Sequence, residues 1–197
     1  PEVYDGESAS NVHPQTSQTY DKNGNVLTST DARGLVTVNE YDTLNRLTKK
    51  TLSAESDIVT TFSYDRNGNK TSETFKRGDY DLTTRYTYDN FNRQTSVKDA
   101  ENYTESYSYD TVGNKVAVTD KRGSTTTFEY DLANRVTREA NALGYSREYG
   151  YDGRGLKTVE IGERGYASYF GYDAQRRQVF SVNAAGFANY FACDPAG

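Results

Sequence analysis

The stretch "EYDLANRVTREANALGYSREYGYDGRG", residues 129–155, decides the fold. It holds Tyr130-Asp131 and, 21 residues later, Tyr151-Asp152. The same dipeptide recurs at Tyr20, Tyr41, Tyr64, Tyr88, Tyr109, Tyr130, Tyr151 and Tyr172, at spacings of 21, 23, 24, 21, 21, 21 and 21 residues. Self-similarity at a fixed period is the mark of a repeat architecture. One more period lands on Cys193-Asp194 in "YFACDPAG", so Cys193 reads as the occupant of a tyrosine slot, a packing residue rather than a reactive one. Upstream, Tyr4-Asp5 lies 16 residues before Tyr20, so residues 1–19 read as a degenerate or truncated repeat and residues 20–197 as one array of about eight repeats. Tyr80-Asp81 is out of phase and lacks the pattern that follows the others.

Each Tyr-Asp opens a turn with Asp first and Gly or Asn fourth: "DKNG", "DTLN", "DRNG", "DNFN", "DTVG", "DLAN" and "DGRG". Asp at the first position accepts turn amides, and Gly or Asn at the fourth tolerates the left-handed conformation that closes a hairpin with a bulge. "DAQR" places Arg176 in that fourth slot, which predicts local strain or a different turn. Half a repeat away sits a second turn of the same chemistry: "DARG" at Asp31, "DKRG" at Asp120, "NALG" at Asn141, "GERG" at Gly162 and "NAAG" at Asn183. Each repeat is therefore two strands of about six residues. The two long repeats carry their extra residues at the second turn, as "SAESD" at 53–57 and "FKRGDYD" at 75–81, which places insertions on one edge of the sheet.

The strand before each Tyr-Asp has a period of two. Two residues before the tyrosine lie Asn39, Phe62, Tyr86, Tyr107, Phe128, Tyr149, Phe170 and Phe191; six before lie Leu35, Ile58, Leu82, Tyr103, Ser124, Tyr145, Tyr166 and Phe187. Seven residues after each tyrosine lie Leu27, Thr48, Thr71, Thr95, Val116, Thr137, Thr158 and Val179. This predicts one sheet face of aromatic ladders interleaved with Thr and Val, with each repeat stabilised by stacking on its neighbours. A parallel β-helix with two turns per coil is the competing fold, and tight turns with Asp first and Gly last favour hairpins over it.

Composition narrows the function. Leu, Ile, Val and Phe make up only 33 of 197 residues, but 18 Tyr, 3 Pro and a net charge of −5 argue against disorder and make tyrosine a main supplier of buried surface. No run of about 18 apolar residues predicts a membrane span, and no segment reads as a signal peptide. The chain starts at Pro1 and has no Met, so it reads as a piece of something longer. With one cysteine there is no internal disulfide and no thiolate metal cluster. The 23 Lys and Arg are scattered among 28 acids without a basic run, which argues against nucleic acid as a partner.

The eight Tyr-Asp units, seven of them Tyr-Asp-x-x-Gly/Asn, identify the chain as similar to the YD-repeat, or Rhs-repeat, family over nearly all of residues 20–197. The resemblance implies an all-β fold, an antiparallel β-hairpin repeat meander that forms an open, curved or spiralling sheet, part of a β-shell. Such shells occur in bacterial Rhs and other polymorphic toxins, insecticidal toxin complexes, wall-associated toxins and teneurins. It further implies a structural, non-enzymatic segment of a large secreted or delivered bacterial toxin. Its partners would be the remaining YD repeats and an encapsulated C-terminal toxin domain that the shell protects until delivery. Eight repeats of two strands at ~4.8 Å per strand make a ribbon of roughly 77 Å, which closed into one ring has a radius of only about 12 Å. A container therefore needs more repeats than these.

Competing chemistry is thin. His13, the only histidine, stands beside Pro14 in the degenerate flank and reads as an exposed loop residue rather than a triad base. The repeated aspartates have a turn to hold, which displaces a paired-carboxylate hydrolase. The Gly-Gly-x-Gly-x-Asp signature of calcium-binding solenoids is absent. "DPAG" at 194–197 resembles the D-P-x-G autoproteolysis motif of Rhs cores but falls on the 21-residue phase as an ordinary turn. We expect no catalytic residue, cofactor or metal. The functional alternative is a cell-surface glycan-binding or adhesion module that uses exposed tyrosine ladders.

Overall fold

The structure, a computed structural model, describes residues 16–53 and 57–192. His13, Tyr4-Asp5, Cys193 and "DPAG", and the centre of the "SAESD" insertion, lie outside the described residues. Every element is a β-strand. The chain divides into two compact units, Pro1–Arg93 with Lys98–Glu101, and Gln94–Val97 with Asn102–Gly197.

The first unit contains β1 (Ser17–Tyr20), β2 (Val26–Thr30), β3 (Val36–Tyr41), β4 (Leu47–Leu52), β5 (Ile58–Tyr64), β6 (Lys70–Arg77) and β7 (Tyr80–Tyr88). Each pairs antiparallel with the next, from β1·β2 to β6·β7. After β8 (Gln94–Lys98), the second unit runs through β9 (Thr104–Tyr109), β10 (Lys115–Thr119), β11 (Thr125–Tyr130), β12 (Val136–Ala140), β13 (Ser146–Tyr151), β14 (Lys157–Ile161), β15 (Ala167–Tyr172), β16 (Gln178–Val182) and β17 (Ala188–Tyr190). From β9 to β17 the same neighbour-to-neighbour antiparallel order holds. A β-helix would pair equivalent strands of successive coils in parallel, so the meander expected from the turns is the observed fold.

Turn chemistry sets this path. Asp131 N–H donates to the Arg135 carbonyl at 2.9 Å and Asn134 N–H to the Asp131 carbonyl at 3.0 Å, and the corresponding pair recurs at first and second turns alike. The fourth residue takes positive φ throughout, as at Gly24 (86°), Asn45 (60°), Asn134 (59°) and Gly155 (88°). Gly and Asn carry this conformation at low cost, whereas a longer side chain crowds the next carbonyl. Arg176 adopts it nonetheless, at φ 68°, so "DAQR" keeps the common turn and bears the strain. One second turn escaped the motif search: "DAEN", with Asn102 at φ 70° and Glu101 N–H on Asp99 Oδ1 at 3.1 Å.

One insertion takes a regular form and one expectation changes. The "FKRGDYD" insertion makes no loop; β6 and β7 lengthen and close on a two-residue turn between Arg77 and Tyr80, with Gly78 at φ 57°. Tight hairpins of this kind place Gly where φ must be positive. Asp81 then lies in the strand, paired with Lys76 at 3.2 Å, which explains why Tyr80-Asp81 starts no repeat.

The expectation that changes concerns burial. Among the described residues only Ala140 is buried, at 9% exposure. Among the described residues each unit is a single layer without a second sheet or helix against it, so tyrosine supplies half-covered rather than buried surface. The row six before the tyrosine is open: Tyr103, Tyr145, Tyr166 and Phe187 are 54–70% exposed. Replacing Arg176 by Gly should raise stability by about 1 kcal/mol, the usual cost of a left-handed non-glycine residue. Chemical denaturation of the variant measures it.

Candidate functional site: the first-turn edge and its tyrosine relay

The edge formed by the Tyr-Asp turns carries the densest polar network in both units. Asp131 shows the pattern. Its Oδ1 accepts the amides of Ala133 at 2.9 Å and Arg135 at 3.0 Å, and its Oδ2 accepts Arg135 Nε at 2.7 Å. The Arg135 hydrogen bond is the main reason the Asp131 carboxyl lies below its ordinary range. Asp42 is lowered in the same way by Arg46, and Asp21 and Asp65 chiefly by the side-chain amides of Asn25 and Asn69. Each aspartate thus serves its own turn, as its position predicted.

A register shift sits beside this turn in every first-turn pairing recorded. Tyr130 pairs with Val136 but Glu129 pairs with Arg138, leaving Thr137 as the extra residue of a bulge. The extra residues elsewhere are Leu27, Thr48, Thr71, Val116, Thr158 and Val179. Pairings across the second turn show no shift. The β-branched row seven residues after each tyrosine is therefore a row of bulge residues, rather than a ladder interleaved with aromatic rings. Bulges bend and twist the strand that carries them, and here they all lie on one edge.

The bulge also explains the tyrosine. Pairing between successive repeats stops short of the turn edge: β2·β3 ends at Thr28↔Val38 and β12·β13 at Arg138↔Glu148. The carbonyl six residues after each tyrosine lies beyond that limit. The hydroxyl of the next repeat's tyrosine donates to it: Tyr41 to Val26, Tyr64 to Leu47, Tyr88 to Lys70, Tyr109 to Gln94, Tyr130 to Lys115, Tyr151 to Val136 and Tyr172 to Lys157. These bonds measure 2.8–3.1 Å. Tyrosine suits the task because its ring spans the strand gap and its hydroxyl supplies the missing donor.

Turn-to-turn contacts alternate between two types. Where the fifth turn residue is Asn, its amide bridges to the Asn at the fourth position of the next turn: Asn25 to Asn45 at 2.9 Å, Asn69 to Asn92 at 2.8 Å, Asn114 to Asn134 at 2.9 Å. Where it is Arg, the guanidinium reaches the next turn's aspartate carbonyl, as Arg46 does to Asp65 at 3.0 Å and Arg135 to Asp152 at 3.2 Å. The same arginines lie over the next repeat's tyrosine ring, Arg46 at 4.8 Å from Tyr64 and Arg135 at 4.6 Å from Tyr151. Leu156 breaks the alternation at the turn of Asp152, and there Arg154 takes over by donating to the Asp173 carbonyl at 2.6 Å. "GN" and "NR" alternate visibly in the sequence, and that signal for a two-repeat unit was missed.

On the tyrosine face the rings two residues before each tyrosine do not meet each other directly. Tyr149 faces Glu160, which faces Ser168 on the next strand. Lysines fill the spaces: Lys157 Nζ lies 5.7 Å from the Tyr149 ring and 5.2 Å from Phe170, and bonds Glu160 at 2.5 Å. Lys70 does the same between Phe62 and Tyr86. Hollows on the surface are shallow, such as one of about 410 Å³ lined by Arg147, Glu160, Glu163, Arg164, Tyr166 and Ser168. Among the described residues no cluster of His, Cys, Asp or Glu has the spacing of a metal site, and no helix is long and apolar enough to cross a membrane.

A hairpin-repeat sheet braced through its turns defines a structural class, and the sequence matches one family of that class, the teneurin YD-shell, over residues 36–187. The chain belongs to this family, whose unit is a structural repeat. Two crystal structures share its fold. One, of TcdB2-TccC3-Cdc42, aligns with a TM-score of 0.64 and 21% identity, covering 83% of this chain and 10% of that one. The other, of TcdB2-TccC3 without its hypervariable C-terminal region, aligns with a TM-score of 0.65 and 21% identity at the same coverages. This chain thus corresponds to about a tenth of the length of those shells. No curated protein matches it.

The turn carboxylates and the relay tyrosines Tyr88 and Tyr130 set a pH window. Carboxyl groups lowered in the folded state stabilise it fully above the unfolded range near pH 4, and that contribution is lost as pH falls through the lower folded values. Tyr130, raised mainly by partial burial, acts oppositely: its stabilisation is present below the unfolded range near pH 10 and is lost as pH rises through the folded value. Thermal melts should therefore be flat between about pH 5 and 9 and fall on both sides of that range.

Proposed function

We propose that this chain is a wall segment of the YD-repeat shell of a large, secreted or delivered bacterial toxin, and that the shell encloses and protects a C-terminal toxin domain until delivery. The single-layer sheet carries this reading. A layer with one buried residue has no core of its own, and a sheet normally buries at least one face against another element. A wall between solvent and enclosed material gives such a layer a use. Each relay tyrosine takes a carbonyl of the repeat before it, which suits a wall that is lengthened hairpin by hairpin. Tyr20, in the first described strand, turns instead to Gln18 Oε1 at 2.6 Å.

Two further facts favour a container over an enzyme or an adhesin. Among the described residues, the polar groups of the turn edge are engaged in bracing one repeat to the next, a structural use for them. One solved shell of the same fold is described as TcdB2-TccC3 without its hypervariable C-terminal region, a variable tail of the kind a reusable container would accept. The partners under this reading are the remaining repeats and the enclosed domain.

Limited proteolysis of the full chain tests the proposal. A C-terminal domain enclosed by the shell should resist protease while the shell is intact and be cleaved rapidly once it is expressed alone. Equal cleavage rates in the two settings would rule out enclosure.

A further inference from the structure

The insertion that lengthens β6 and β7 holds "KRGDY", residues 76–80, at its tip, and the wall function makes no use of it. Pairing of β5 with β6 ends at Ile58↔Arg77, and pairing of β6 with β7 ends at Arg77↔Tyr80. Gly78 and Asp79 therefore stand beyond the ladder as the two central residues of a hairpin turn. Positive φ falls on Gly78, at 57°, and not on Asp79, the pattern of a type II′ turn. Residues 75–82 are all exposed, Tyr80 at 75%.

Charge at this tip is arranged unlike that of the other turns. Elsewhere an aspartate opens the turn, accepts its amides and pairs with an arginine that follows, as Asp31 does with Arg33 at 2.9 Å and Asp152 with Arg154 at 2.8 Å. Here the order is reversed, with the arginine before the glycine and the aspartate after it. The nearest ion pair lies one residue further down the hairpin, Lys76 with Asp81 at 3.2 Å. Among the described residues the side chains of Arg77 and Asp79 have neither a hydrogen bond nor an ion pair. They flank Gly78, so their Cα atoms lie no more than about 7 Å apart. A Cβ at Gly78 would meet nothing within 4 Å. A guanidinium, bare backbone and a carboxylate are thus offered side by side on a turn that is already closed.

We propose that Arg77, Gly78 and Asp79 form an attachment point for a cell-surface receptor whose site sets a bound divalent cation beside an acidic pocket, the chemistry of integrins. Lys76, Arg77, Asp79 and Asp81 cancel in charge, so the tip draws neither a polyanion nor an anionic membrane, and its partner must read both signs at once. The Asp79 carboxylate suits a hard cation. It cannot hold one alone, and no cluster of His, Cys, Asp or Glu among the described residues would help it, so the cation belongs to the receptor. Arg77 offers a planar fork that a receptor carboxylate takes in two hydrogen bonds. Gly78 lets the receptor approach the backbone closely. The closed hairpin spares the ordering cost that a flexible loop incurs on binding. The sheet remains a wall under this inference and one hairpin tip attaches it, which suits a protein delivered to target cells. Attachment requires no enclosed domain, so either reading can fail alone.

Solid-phase binding of the chain to purified ectodomains of the integrins that read Arg-Gly-Asp tests the assignment. Binding should be saturable with manganese(II) present, abolished by EDTA and displaced by a soluble Arg-Gly-Asp peptide. Asp79→Glu keeps the charge but moves the carboxylate by one methylene, and should weaken binding by about tenfold or more. Its thermal melt should be unchanged, because Asp79 braces nothing. Absence of cation-dependent binding to every one of these ectodomains overturns the proposal. So does binding that Asp79→Glu leaves intact. Protease protection of an enclosed domain, measured separately, should not respond to Asp79→Glu.

Discussion

Everything in this sheet depends on a hydroxyl meeting a carbonyl across the gap between repeats. At the first-turn edge a bulge and the end of the backbone ladder leave the carbonyl six residues after each tyrosine without a strand partner. The next tyrosine supplies its donor, seven times among the described residues. Because the sheet is one layer thick, this is more than an ornament at its rim. Hydrophobic burial, the main favourable term in an ordinary domain, is slight here, so contacts between adjacent repeats carry a larger share of cohesion. The Asn and Arg bridges from turn to turn add to the same edge, donating forward to the next repeat where the tyrosine hydroxyl donates back to the one before.

This arrangement divides labour between the two edges. Second turns close hairpins without register shifts, and they absorb added residues by lengthening strands, as β6 and β7 do. First turns combine a tight turn, a bulge and a tyrosine, and they tolerate little change. Where the turn of Asp152 loses its fifth-position bridging residue, Arg154 restores the contact from another position. Membership of the YD-shell family fits a layer built in this way. Extension needs only another hairpin whose tyrosine finds the carbonyl already waiting.

Much of this was legible in the sequence because the motif is local. Tyr-Asp and the fourth-position Gly or Asn report a turn whose residues interact within five positions, so period, strand order and antiparallel pairing all followed from reading them. The role given to tyrosine was right in outline and wrong in kind. It was read as a packing ring in a ladder, whereas the structure uses its hydroxyl. A bulge has no residue signature of its own here: Thr137 looks like any β-branched strand residue. The rings of Tyr149 and Phe170 looked like neighbours because their spacing was counted in repeats, while the strand β14 separates them and Lys157 occupies the space.

Replacing a single relay tyrosine by phenylalanine probes the central claim most directly, because it deletes the hydroxyl and keeps the ring. Tyr151→Phe removes the bond to the Val136 carbonyl. Denaturant unfolding should show a loss of about 1 kcal/mol, the usual net worth of one such hydrogen bond. Amide exchange should quicken at the Asp131 and Asp152 turns on either side of the deleted bond. Unchanged stability with unchanged exchange there would show that the ring alone holds the repeats together and that the relay is incidental.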